Sequence, residues 1–238
     1  MDYNIVTVSN STYYPFLQIF LRSLFENINL DNINKIYVYD SGLKEEQKEW
    51  IETFQKVVIK NNLVKLETNT LHDEGWEGVT YSKLKCCLHA LEDTGKPSFI
   101  VDVDSVFEAE FIHLVDLSKD VVLCSCENRS LVVPGNSQFI GSFCGLIDLA
   151  KSREFVDEVY RIIPTINWPH KESPSITKAY AIKKEEIKFN IALEDQVSHI
   201  DQSTQKEFIA IYHLKSSTKY NTIQKRLIMH PWIKKYDK

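Results

Sequence analysis

The chain has 238 residues, 43% of them apolar and 26% charged, with a net charge of −5. That length suits one large domain or two small ones, and the mixed composition is that of a globular protein. The acidic balance gives no support for a nucleic-acid partner, and no apolar stretch approaches the roughly 18–20 residues that span a bilayer. The start, "MDYNIVTVSN", is acidic where a secretion signal would be basic, and its apolar run is short. The cysteines Cys86, Cys87, Cys124, Cys126 and Cys144 lie mostly in apolar context and lack zinc-finger spacing. They read as buried thiols in a reducing compartment, which gives the expectation of a cytoplasmic chain.

"NIVTVS" (4–9) is a β-branched run that ends in small polar residues, a strand feeding a loop. "YPFLQIFLRSLFEN" (14–27) places Phe16, Ile19, Phe20, Ser23 and Leu24 on one helical face, and Pro15 suits a first turn. "KIYVYDSG" (35–42) is a second strand. "LKEEQKEWIETF" (43–54) is an amphipathic helix with Leu43, Gln47, Trp50, Ile51 and Phe54 on its buried side. "LVKLET" (63–68) reads as a third, weaker strand. "YSKLKCCLHALED" (81–93) is a helix closed by Gly95 and Pro97, and "SFIVDVD" (98–104) is the next strand.

Strand and helix therefore alternate through residue 104, which means α/β with a mainly parallel sheet. In such sheets ligands bind beyond the C-terminal ends of the strands. Three of those ends are polar: Ser9-Asn10, Asp40-Ser41 and Asp102-Val103-Asp104.

The second half is less regular. "VVLCSCE" (121–127) reads as a strand, and "SFCGLIDLAKSREFVDEVYRII" (142–163) as a strand running into a helix. Residues 164–186, with three prolines, read as a long irregular loop. "EFIAIYHL" (207–214) is a late strand and "YNTIQKRLIMHPW" (220–232) a short helix. No repeat or linker divides the chain.

Asp102 and Asp104 carry the chemistry. Residues at i and i+2 share one face of a strand, and where the backbone turns at a strand end two carboxylates can converge on one ion. Such charges repel each other and desolvate poorly, so they need a cation. Oxygen ligands suit Mg²⁺ or Mn²⁺, whose shells are commonly completed by substrate phosphates. The plainer alternative is a strand end with solvated acids or helix N-caps.

An apolar strand ending in D-x-D, after about 100 residues of α/β opening with "IVTVSNSTYYPFLQIFLRSL", resembles the nucleotide-sugar glycosyltransferases of the GT-A fold. It is most similar to glycosyltransferase family eight, of the lipopolysaccharide galactosyltransferase and glucosyltransferase type. "IVTVSNSTYYPFL" resembles that family's first strand and uridine-contacting loop. "IYVYDSGLKEEQKEWI" resembles its second strand and helix, and "SKLKCCLHAL...FIVDVDSVF" the helix and strand that carry D-x-D. "FCGLIDLAKSREF" resembles the acceptor-side strand and helix, "LEDQVSHI" the D-Q-x-x-L-N segment, and "IYHL" a strand ending in the histidine that is the third metal ligand. Two departures stand out. "HLKSSTKYN" lacks the glycine and the Pro-Trp that follow the family's histidine, and Ser198 replaces the last Asp of its D-Q-D.

The resemblance implies a single domain with a mixed, mainly parallel sheet flanked by helices. Residues 1–104 would form the nucleotide-binding half and 105–238 the acceptor half with a basic C-terminal helix. It implies a metal-dependent hexosyltransferase that uses a UDP-sugar, with Mn²⁺ or Mg²⁺ on Asp102, Asp104 and His213. Lys215 or Lys219 would face the diphosphate. Thr7, Ser9 and Tyr14 would meet the uridine, with Asp40 on the base or ribose. Lys83, or equally Lys85, would approach the sugar or phosphate. Asp195 and Gln196 would flank the anomeric carbon, as stabilisers of a retained centre or, for Asp195 or Glu194, as base for an inverted one. "NSQFIGSFCG" (136–145) would line the donor-sugar pocket, and Trp168 and His170 would face a glycan, lipid-linked or protein acceptor.

Each assignment has a plainer alternative. His213 can be structural, the lysines solvated, Asp195 a helix N-cap, and Tyr13 and Tyr14 simply core. From His213 onward the tail carries seven Lys or Arg and one acid, Asp237. With Leu227, Ile228, Trp232 and Ile233 interleaved, it reads as a peripheral membrane contact or as a packing helix with a solvated basic face. For the whole chain there are two rivals. "FIVDVDSV" also resembles the nucleophile motif of haloacid-dehalogenase-like phosphatases, where Asp102 attacks phosphorus and Asp104 is acid and base. A catalytically inactive nucleotide-sugar-binding domain is the other.

Overall fold

The computed structural model describes residues 2–63, 74–125, 137–167, 171–193, 197, 210–214, 227 and 231–237, with the backbone alone for 74–80. β1 (Tyr3–Ser9), β2 (Ile33–Asp40), β3 (Val57–Asn61) and β4 (Ser98–Val101) run parallel and are joined by α1 (Tyr14–Asn27), α2 (Glu45–Glu52) and α3 (Glu74–Thr94). A short strand β5 (Ser105–Phe107) then leaves the sheet. β6 (Val121–Ser125), β7 (Phe139–Leu146) and β8 (Phe189–Leu193) complete seven strands in the order β3-β2-β1-β4-β7-β6-β8. Of these only β7 runs against the others. α4 (Leu149–Ile162) and α5 (Glu172–Lys183) follow β7, and β9 (Ile211–His213) pairs antiparallel with β5.

The alternation of side chains along the strands feeds two apolar layers. Tyr3, Ile5, Ile36, Val38, Phe99 and Val101 point to the face packed by Leu17, Phe20, Leu21 and Leu24 of α1. Phe16, Ile19, Phe20, Ser23 and Leu24 are all buried, as the helical pattern predicts, with Ile19 in a separate cluster with Val106, Tyr212 and Leu214. Val6, Val8, Tyr37, Tyr39 and Ile100 point the other way, against Leu84, Cys87 and Leu91 of α3 and Phe155 and Val159 of α4. Cys86, Cys87, Cys124 and Cys144 are all buried, as expected; burial pushes the Cys86 thiol up to about 12. Cys126 lies outside the described residues.

The chain winds outward from β1 through β2 to β3, then returns to the far side of β1 as β4. This reversal leaves a crevice beyond the C-terminal ends of β1 and β4, the ordinary ligand site of an open α/β sheet. Ser9 and Asp40 end neighbouring strands in register, and Asp102 follows the last residue of β4.

Several expectations need correction. A strand stands at Val57–Asn61 that the sequence reading passed over, while the strand expected at 63–68 lies, from 64 on, outside the described residues. Val57, Val58 and Ile59 are its β-branched core, and they pair with β2. The third helix begins at Glu74, one to two turns before the predicted start. Asp102 and Asp104 stand in a turn between β4 and β5, not in a strand that runs through 104. The predicted loop 164–186 holds α5, whose Pro174 falls in the first turn, where no intrahelical bond is lost. β8 was not foreseen, and it is a half-buried edge strand.

The predicted helix 220–232 lies mostly outside the described residues. Beyond it, a 3₁₀ segment, Pro231–Tyr236, is tied to α1: Arg22 Nη1 donates to the Tyr236 carbonyl at 2.9 Å, and Asn27 Nδ2 lies 2.7 Å from the Tyr236 hydroxyl. Ile233 and Tyr236 are buried, and Trp232 packs on Tyr212 with ring centroids 4.8 Å apart. These apolar groups face the protein, while Lys235 pairs with Glu108 at 3.1 Å.

Gly145 marks a close approach between β7 and its neighbouring strands. A Cβ there would lie 2.5 and 2.7 Å from Phe99 ring carbons and 3.1 Å from Val122 Cβ. Gly145→Ala should therefore destabilise the protein by about 1–3 kcal/mol in urea unfolding; an unchanged midpoint would contradict this packing.

Candidate active site

The site is built by one turn and one strand pair. β4 ends at Val101, and the Asp102 carbonyl accepts from Ser105 N–H at 3.0 Å, closing a tight turn. Asp102 N–H donates to the Ser142 carbonyl at 3.0 Å, so β7 still holds the turn's first residue. Val103 is buried in the α1-side core. The carboxylates on either side of it emerge away from that core. β5 then pairs with β9, setting Ser105 opposite His213, and Leu214 N–H donates to the Asp104 carbonyl at 2.8 Å.

His213 Nε2 consequently lies 3.3 Å from Asp102 Oδ2 and 3.1 Å from Asp104 Oδ1. One ligand atom from each of the three residues falls within 4.8 Å of the others. His213 Nδ1 is buried on the other side of the ring, with no hydrogen-bond partner among the described residues. Two carboxylate oxygens and an imidazole nitrogen converging in this way are a donor set that suits Mg²⁺ or Mn²⁺. As a set of like charges it is incomplete without a cation.

Lys83, on α3, meets the same turn from the opposite face. Its Nζ lies 2.6 Å from Asp102 Oδ1, 3.0 Å from Glu172 Oε2 on α5, and 3.0 Å from the Gly141 carbonyl on β7. Burial opposes its charge, but the Asp102 and Glu172 carboxylates outweigh burial and hold it protonated above the ordinary lysine range. Lys85 is exposed and lies over the Tyr160 ring at 4.3 Å, so Lys83 is the basic residue of α3 that reaches the turn.

The nucleoside candidates share the sheet edge without joining this cluster. Thr7 is buried in β1, and its hydroxyl has no partner among the described residues. Ser9 is buried at the end of β1, and its carbonyl accepts from Ser41 N–H at 2.8 Å. Asp40 shapes its own turn: Oδ1 accepts from Gly42 and Leu43 N–H at 2.7 and 2.6 Å, and Oδ2 lies 2.9 Å from Lys48. Against the effect of burial, those bonds hold its carboxyl below the usual range. Tyr14 packs edge-on against Trp50 of α2 at 5.6 Å. Asp195, Gln196, Ser198, Lys215, Lys219, Trp168 and His170 lie outside the described residues.

Glu172 is the member that sequence reasoning missed. It is an acid among charges and prolines in a stretch that reads as loop, and its partner Lys83 is far away in the chain. Only the three-dimensional contact marks it.

No protein-family model matches the chain, and no curated protein matches it. Solved structures do. The galactosyltransferase LgtC, in complex with donor and acceptor sugar analogs, superposes with a TM-score of 0.62 at 11% identity, covering 98% of this chain and 95% of that one. The chain has the GT-A fold. The bifunctional glycosyltransferase WbbM matches with a TM-score of 0.61 at 10% identity, over 99% of this chain and 51% of its own. GlyE, a glycosyltransferase of Streptococcus pneumoniae TIGR4, matches with 0.56 at 11%, over 80% and 45%. The chain thus spans about half the length of those last two. In this GT-A sheet the D-x-D pair follows the fourth strand, whereas the phosphatase motif belongs after the first.

Lys83→Met would leave the Asp102 and Glu172 carboxylates facing each other with no cation between them. In chelator-treated buffer this should cost about 3–5 kcal/mol in urea unfolding. A loss below about 1 kcal/mol would show that Lys83 does not balance the two acids.

Proposed function

We propose that the chain is a metal-dependent glycosyltransferase, moving a hexose from a UDP-sugar to a hydroxyl of a glycan, lipid-linked or protein acceptor. The observation that carries this reading is the convergence of Asp102, Asp104 and His213 beyond the strand ends of a GT-A sheet. Asp102 Oδ2, Asp104 Oδ1 and His213 Nε2 would hold Mn²⁺ or Mg²⁺. Bound there, the ion supplies Lewis-acid neutralisation of a diphosphate leaving group.

The remaining roles belong to the chain's own side chains. Thr7, Ser9, Tyr14 and Asp40 bind the nucleoside along the edge of β1 and β2, within residues 1–104. Lys215 or Lys219 adds positive charge at the phosphates. Asp195 and Gln196 flank the anomeric carbon: with retention, Gln196 or Asp195 stabilises developing positive charge, and with inversion, Asp195 or Glu194 deprotonates the incoming hydroxyl. Residues 105–238 supply the acceptor side. No described helix is long and apolar enough to cross a membrane. A lipid-linked acceptor would be met from the surface, with Lys234 and its basic neighbours towards anionic headgroups.

Calorimetric titration of UDP, with and without Mn²⁺, tests this reading. Binding should require Mn²⁺ in the wild type and be lost in Asp102→Ala/Asp104→Ala. No UDP binding under any metal would overturn the donor assignment. Tight UDP-sugar binding without turnover would instead favour an inactive binding domain.

A further inference from the structure

We propose that Glu172 is a positioning residue for the divalent-cation site: through Lys83 it fixes Asp102 so that Oδ1 is held back and Oδ2 is presented to the ion. The inference rests on the cation reading of Asp102, Asp104 and His213 given above. It adds an acid from α5, outside the three candidate ligands.

An ammonium has three N–H donors. Those of Lys83 have three acceptors: Asp102 Oδ1 at 2.6 Å, Glu172 Oε2 at 3.0 Å and the Gly141 carbonyl at 3.0 Å. A buried lysine so engaged has no donor left for a sugar or a phosphate, and works as a brace. The two Asp102 oxygens divide accordingly, Oδ1 to Lys83 and Oδ2 towards His213 Nε2.

Charge leads to the same place. With a neutral imidazole, as a ligand must be, Asp102 and Asp104 carry two negative charges. Lys83 alone would cancel one of them and repel an incoming cation. Glu172 cancels Lys83, so that among the described residues Asp102, Asp104, Lys83 and Glu172 carry a net of two negative charges, matching a divalent ion.

Glu172 is itself well held. It opens α5, where the helix dipole favours a carboxylate, and it is buried. Gly141 makes room for it: a Cβ on Gly141 would lie 2.2 Å from Glu172 Oε2. A residue with a side chain at 141 would push the carboxylate off Lys83.

Mn²⁺ affinity without nucleotide, read from the free-ion electron paramagnetic resonance signal, separates the possibilities. Glu172→Gln keeps an acceptor for Lys83 and removes the charge. It should weaken Mn²⁺ on the order of tenfold, the effect of a unit charge several ångström away in a partly wet site. Asp104→Asn should weaken it at least as much. Unchanged affinity in Glu172→Gln, with Asp104→Asn weakened, would overturn the brace and leave the cation reading standing. Unchanged affinity in Asp104→Asn would remove the cation reading and the brace together. Should Glu172→Gln not fold, a crystal structure of the Mn²⁺-loaded wild type decides. Asp102 bound through Oδ2 alone, with Lys83 still bridging Oδ1 and Glu172, is expected. Asp102 chelating through both oxygens, or Lys83 turned away, would overturn it.

Discussion

Val103 is the pivot on which the site turns. Its side chain is buried in the α1-side core, and a residue so anchored fixes where its neighbours point. Asp102 and Asp104, on either side, are brought out of the core together at the mouth of the β1/β4 crevice. Two carboxylates held that close raise each other's energy unless positive charge stands between or beside them. The surrounding structure supplies a nitrogen ligand from one direction and a cation from the other. β9 is pinned to β5 and delivers the His213 imidazole on one side. α3 delivers the Lys83 ammonium on the other. α3 directly precedes β4 in the chain, whereas β9 comes more than a hundred residues later, so the imidazole is brought to the turn by topology.

The same topology ties the site down through its backbone. Asp102 is bonded through its backbone to β7, Ser105 closes the turn, and Leu214 ties the far end of β9 to Asp104. The C-terminal 3₁₀ segment covers this small sheet from outside, with Ile233 and Tyr236 packed against Tyr212, Leu214 and Val106. The Tyr236 hydroxyl also donates to Glu108, next to β5, at 2.8 Å. A basic segment that reads in the sequence as a candidate membrane contact thus spends its described apolar residues on the fold.

Much of this was legible in the sequence, for physical reasons that differ from place to place. β1, α1 and β2 were read closely because their periodicity is strong and their ends are marked by Pro15, Asn10 and Asp40. The acids of the D-x-D turn were legible because two like charges after an apolar run need an explanation. The strand Val57–Asn61 was passed over because "VVIKN" follows the second helix so directly that the apolar residues merge with it. α5 escaped because its buried face is made of Glu172, Pro174, Ser175, Ile176 and Ala179. Small and polar residues give no apolar stripe to read. Lys83 and Lys85 were indistinguishable as letters, and two positions along a helix, a rotation of about 200°, send one to Asp102 and leave the other exposed. Glu172 was beyond reach because an ion pair between distant residues leaves no trace in local spacing.

A direct test of the central claim is product release. Purified protein incubated with a panel of UDP-hexoses and Mn²⁺ would be assayed for free UDP, with and without chelator. Release of UDP from at least one donor, abolished by chelation, is the result predicted for a nucleotide-sugar transferase built on Asp102, Asp104 and His213. No release from any UDP-hexose, together with orthophosphate release from a phosphomonoester that depends on Asp102, would contradict it and return the D-x-D turn to phosphatase chemistry.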